Sequence, residues 1–170
     1  MAAKKKTKDS AREASKAKVK RTAAEKKAFR EFISEAEEIL KRLLNDLADL
    51  ADQRTSGREV NPDLVNQLFR SAHSLKGLAG MFGLDALSDL AHHLEDILDG
   101  LRLGRISLDA PAVALLDDAV RLFSAAIAHI DSPQESARVE DDVRQLIDRI
   151  TRETRNAVTE GDELSKLQLD

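Results

Sequence analysis

The 170-residue sequence contains no cysteine. Disulfides and thiolate metal sites are therefore excluded, and the chain carries no redox signal. No apolar run approaches the ~20 residues that a membrane-spanning helix needs. The N-terminus lacks the apolar core of a secretory signal peptide, so a cytoplasmic location is expected. No stretch alternates with the period of a strand, and no internal repeat appears. There is no Gly-rich phosphate loop of the P-loop or Rossmann type and no Mg²⁺-binding acidic motif. Nothing in the chain would bind ATP and position it.

What is present is charge, unevenly placed, and helical periodicity. Residues 1–30 carry 12 Lys or Arg against 3 Asp or Glu, while the remaining 140 residues carry 15 against 28. The net charge of −4 thus divides into +9 and −13. Residues 1–27 are rich in Lys and Ala and hold too little apolar surface to fold alone, so they are expected to form a basic disordered arm. Such an arm suits nucleic acid or an anionic surface. It has no aromatic residue before Phe29 and no recognisable recognition module, which makes nucleic acid the unlikely partner and a solubilising tail the expected role.

From residue 28 the apolar residues recur at helical spacing. A first helix is expected over about 28–51, with Phe29, Phe32, Ile33, Ala36, Ile39, Leu40, Leu43, Leu44, Leu47 and Leu50 on its apolar face. A second opens on Asn61 as N-cap with Pro62 behind it and ends near Gly80 to Gly83. A third follows at once and is closed by Gly104. A fourth starts at Asp109 with Pro111 in its first turn, and a weaker fifth spans about 134–158. The short Gly-containing turn between the second and third implies an antiparallel hairpin. The expected architecture is all-α: an antiparallel up-down four-helix bundle with an additional C-terminal fifth helix over 28–158, followed by a linker-like tail over 159–170.

The second helix carries the unusual stretch. Leu68, Ala72, Leu75 and Ala79 form one narrow apolar stripe, and His73 lies about 130° round from it, on the solvent side. Gly77 and Gly80 follow on the face of His73, each at a cost of roughly 0.5–1 kcal/mol relative to alanine. Their effect is to strip side chains from the surface around one histidine and give another molecule clearance. Lys76 stands within reach of whatever the imidazole carries, and an ammonium there suits an anionic group. On the third helix Ser88, His92, Glu95 and Asp99 form a polar stripe that an antiparallel hairpin can lay beside His73. A carboxylate that holds one ring nitrogen protonated makes the other a better nucleophile, and Glu95 is the candidate. Taken alone, Glu95 would read as a solvated face residue. One reversed His-x-x-Glu is too little for a bundle metal site, so no metal is expected.

The run His73-Ser74-Leu75-Lys76-Gly77, then Ala79-Gly80, Phe82-Gly83, resembles the phosphoacceptor motif of histidine phosphotransfer (HPt) domains. Among these it is similar to the N-terminal phosphotransfer domain of chemotaxis histidine kinases of the CheA type. The similarity continues through Leu94-Glu95-Asp96-Ile97-Leu98-Asp99-Gly100-Leu101-Arg102 and covers most of residues 29–131. The resemblance implies His73 as phosphoacceptor and a helical bundle with a fifth helix. It also implies that a glutamate and a histidine three residues before it join the site, which are Glu95 and His92 here. The implied partners are an ATP-binding histidine kinase domain, in the same or another chain, and a response-regulator receiver of the CheY type whose aspartate takes the phosphoryl group. ATP and Mg²⁺ would be used by the kinase domain, with no cofactor in this chain, which the resemblance implies is the N-terminal module of a larger CheA-like kinase, the alternative being a stand-alone relay protein. The rival from another class is a helical interaction module with a nucleic-acid-binding arm.

Overall fold

The computed structural model describes residues 21–167, with side chains described to residue 157. The first twenty residues of the expected arm lie outside the described residues. Within them the chain forms five helices and no strand: α1 (Ala23–Thr55), α2 (Pro62–Met81), α3 (Asp85–Arg102), α4 (Ala110–Ala128) and α5 (Pro133–Leu167). α1 crosses the boundary between two compact units, one ending at Glu31 and the other beginning at Phe32.

Helix starts follow local chemistry. Asn61 accepts a hydrogen bond from the backbone of Asp63, with Pro62 in the first turn of α2. Asp109 does the same for Ala112 at the start of α4. α1 begins five residues earlier than apolar periodicity implied. Thr22 and Glu25 form a reciprocal cap, in which Glu25 N–H donates to Thr22 Oγ1 at 3.2 Å and Thr22 N–H donates to Glu25 Oε2 at 2.6 Å. This capping box needs no apolar residue, so a search for buried periodicity passes over it. At the other end α5 runs on to Leu167, past the expected stop at 158, so the expected linker-like tail is helical as far as that residue.

The turn between α2 and α3 positions the site. Gly83 has φ +69°, the left-handed conformation that glycine adopts without penalty. Its N–H donates to the Gly80 carbonyl at 3.2 Å, and the N–H of Leu84 reaches the Ala79 carbonyl at 2.9 Å. These two bonds close α2 in a Schellman motif. The chain then reverses, and α3 runs back along α2. The pairs Lys76–Ser88 and His73–Glu95 record the antiparallel register.

The core of the second unit collects one face of each helix. Phe32, Leu43 and Leu50 from α1, Leu68 and Leu75 from α2, Leu90 and Leu94 from α3, Leu116 and Phe123 from α4, and Val143 and Ile150 from α5 are all buried. Phe82 at the end of α2 stacks on Phe32 with ring centres 4.4 Å apart. Gly100 is buried against Ile106, and a Cβ there would meet Ile106 Cδ1 at 2.5 Å, so a larger residue would force that side chain to move. No helix among the described residues is long and apolar enough to cross a membrane.

Candidate functional site

The stripe Leu68, Ala72, Leu75 and Ala79 is buried, and this turns the opposite face of α2 outward. His73 lies on that outer face with its side chain 66% exposed. One ring nitrogen is nevertheless anchored: Nδ1 lies 2.7 Å from Glu95 Oε1 on α3. A carboxylate oxygen can only accept, so Nδ1–H is the donor, and in the neutral ring Nε2 keeps its lone pair.

Glu95 departs from the expected surface position beside the apolar stripe. It is the buried charged residue among the described residues, with 7% of its surface accessible. A buried carboxylate needs partners for both oxygens. His73 takes Oε1, and Lys76 Nζ donates to Oε2 at 2.6 Å. The carboxylate therefore joins His73 to Lys76 across the hairpin, and its burial shields both bonds from water. No buried side-chain polar atom among the described residues lacks a partner.

Lys76 is half-buried and held against Glu95, rather than standing free beside the ring. An ammonium has three donors, so one bond to Glu95 leaves two for another anion. His92 does not meet His73. Its side chain is exposed on α3, with Nε2 3.7 Å from Asp96 Oδ1 and its ring beside that of His93. The helical wheel put His92 and Glu95 on one stripe, but only the residue turned toward α2 reaches His73. His93 Nδ1–H donates to the Asp89 carbonyl, and His129 closes α4. No cluster of metal-ligating side chains occurs among the described residues.

The two glycines face open space. Nothing stands within 4 Å of a Cβ built on Gly77, and one built on Gly80 would meet only Ser88 Oγ at an ordinary 3.7 Å. The fold itself does not require a glycine at either place. Sequence reasoning missed a further neighbour. The Phe69 ring, one turn before His73, lies nearly parallel to the imidazole at 14° with centres 6.5 Å apart. The Arg102 guanidinium covers the same ring at 5.0 Å. The spacing of four residues from Phe69 to His73 was readable; Arg102 needed the hairpin register.

Comparison with known proteins bears on this geometry. The sequence matches the Hpt domain over residues 27–126. It is 38% identical over 111 residues to the chemotaxis protein CheA of Cereibacter sphaeroides, covering 65% of this chain and 16% of that protein. It is 30% identical over 128 residues to CheA of Treponema pallidum, covering 75% and 15%. With CheA of Rhizobium meliloti the identity is 43% over 75 residues, covering 44% and 9%. The chain thus spans about a sixth of the length of the first of these relatives. An exposed imidazole anchored through one nitrogen, on a helical bundle whose matched segment covers more than half of the sequence, places this chain in the Hpt domain family, the histidine phosphotransfer modules of two-component signalling.

Proposed function

We propose that His73 is the phosphoacceptor and that the reacting atom is Nε2. The observation that carries this reading is the bond from Nδ1 to the buried Glu95, which leaves Nε2 as the exposed nucleophile. The Nε2 lone pair attacks the γ-phosphorus of ATP held by an ATP-binding kinase domain. The N–P bond forms as the bond from phosphorus to the bridging oxygen breaks, and ADP leaves with that electron pair. Nδ1 keeps its proton, and Glu95 balances the positive charge that develops on the ring. Lys76 turns its remaining N–H groups to the phosphoryl oxygens. In the second step a carboxylate oxygen of a response-regulator aspartate attacks phosphorus, the N–P bond breaks, and the neutral imidazole returns. ATP and Mg²⁺ belong to the kinase domain in this scheme. Gly77 and Gly80 leave room for each partner to approach.

Incubating the chain with an isolated CheA-type kinase domain, Mg²⁺ and γ-labelled ATP tests the reading. Acid-labile, base-stable label is expected on the wild type and not on His73→Gln. Label that survives in the variant would move the acceptor elsewhere.

The finer reading is that the chain is the N-terminal module of a CheA-like kinase. Its similarity to a small part of several CheA proteins supports this. Sequencing the coding region beyond codon 170 tests it: an in-frame ATP-binding domain is expected, and an immediate stop codon would leave a stand-alone relay protein.

A further inference from the structure

A groove of about 330 Å³ runs between α1 and α2. Arg42 and Asp46 of α1 and Arg70, Ser71 and Ser74 of α2 line it. Arg70 lies one turn before His73, with its Cβ roughly 5–6 Å from that of the histidine. Ser74 is the next residue in the chain. The α2 wall of the groove thus flanks His73 in the chain, one residue after it and one turn before it.

Its cations are uncommitted. Among the described residues Arg70 makes no ion pair or hydrogen bond, and Arg42 feels only the longer-range field of Asp46. Arg102, Arg121 and Arg149, by contrast, are paired with Asp99, Asp117 and Asp118. Across His73, Lys76 is bound to Glu95. Asp46 partly offsets the two arginines. Burial and the neighbouring Asp49 push its carboxyl up, with Arg42 pulling the other way.

We propose that this groove docks carboxylate side chains of the receiver that takes the phosphoryl group, with Arg70 as the leading contact and Arg42 behind it. The inference rests on the phosphotransfer reading. The phosphate must pass to a carboxylate, and that carboxylate must approach a segment, residues 31–170, whose net charge is −13. At a Debye length of about 8 Å the approaching surface senses local charge rather than the total. The positive groove beside His73 offsets the repulsion, and a guanidinium offers a two-pronged fit to a carboxylate. Asp46 then acts as a brake on docking.

The test is phosphoryl transfer from the labelled full chain to a CheY-type receiver domain, followed by rapid quench at varied receiver concentration. Arg70→Glu should raise the half-saturating concentration about tenfold, and Arg42→Glu about threefold, with the maximal rate unchanged. Asp46→Asn should lower it about twofold, and a high-salt buffer should shrink all three differences. A structural role for these side chains would not give opposite signs. An unchanged half-saturating concentration in Arg70→Glu overturns the proposal, as does a loss confined to the maximal rate. It also fails if Arg70→Glu impairs only acceptance from the kinase, because the groove then serves the nucleotide phosphates. A wild-type chain that takes no label on His73 refutes the phosphotransfer reading itself, an outcome distinct from these.

Discussion

Glu95 Oε1 lies 2.7 Å from His73 Nδ1, across a hairpin that brings together residues 22 positions apart. The same carboxylate holds Lys76 through its second oxygen. Orientation of the imidazole and placement of the cation thus depend on one buried side chain. Glu95→Gln keeps the shape and removes the charge, so phosphorylation of His73 should slow by about 10- to 100-fold, on the scale of the loss when a carboxylate orienting a metal-bound histidine is removed. NMR of the ring nitrogens should show a mixture of tautomers in place of one. Glu95→Ala should in addition lower stability by about 1–3 kcal/mol, because the position is buried and two partners are released. Wild-type rates and a single tautomer in Glu95→Gln would remove the orienting role.

His73 is exposed, so its replacement has little to unpack. His73→Gln should abolish acid-labile label, and because the glutamine amide can still donate to Glu95, stability should fall by less than the roughly 1–3 kcal/mol that loss of a partner of this carboxylate costs, read from the thermal melt. A large drop in melting temperature would mean that the Glu95 bond is a structural support first and a chemical device second.

Lys76 joins stability to chemistry. Lys76→Ala strips a buried carboxylate of one of its two partners, which should cost about 1–3 kcal/mol. On the proposed reading, in which the cation acts on developing phosphoryl charge, the substitution should also slow phosphorylation. Lys76→Arg should recover more of the stability than of the rate, because a planar fork cannot reproduce the placement of an ammonium. Wild-type phosphorylation by Lys76→Ala at both limiting and saturating kinase would leave Lys76 a structural partner of Glu95 alone.

The helices and the outward placement of His73 were legible in the sequence because they rest on local signals. The stripe Leu68, Ala72, Leu75 and Ala79 fixes which way His73 points, and Asn61-Pro62 and Gly83 mark where its helix starts and turns. The burial of Glu95 was not legible. A wheel ranks a carboxylate by its own helix, whereas its accessibility is set by the helix across the hairpin. The same reason explains His92, which shares a stripe with Glu95 and yet pairs with Asp96. The start of α1 escaped because the Thr22–Glu25 cap is polar and precedes the first large apolar residue. The groove at Arg42 and Arg70 joins two helices, and no spacing along either one reports it.

Asp46 carries a pH signature. Burial, followed by the charge of Asp49, raises its carboxyl above the ordinary value. The folded chain then holds that proton more tightly than the unfolded chain does, so ionised Asp46 works against folding at neutral pH. Asp46→Asn should melt higher than wild type at pH 7. The gap should narrow as the pH falls through the titration of Asp46, where the wild type becomes neutral as well. A gap that is constant from pH 7 to about pH 4 would trace the gain to packing and not to charge.

Gly77 separates what the fold needs from what a partner needs. A Cβ at this position meets nothing within 4 Å, and the residue lies inside α2 away from any turn. Gly77→Ala should therefore stabilise the chain by about 0.5–1 kcal/mol, the helical advantage of alanine over glycine. If the bare surface exists to admit a partner, the same change should raise the half-saturating concentration of kinase or receiver, and Gly77→Leu should raise it further. Stability and function would then move in opposite directions on one substitution. Thermal melts paired with phosphotransfer titrations of the two variants measure both. Variants that are more stable and transfer phosphate as well as the wild type would show that the surface around His73 has room to spare, and that the glycine serves no partner.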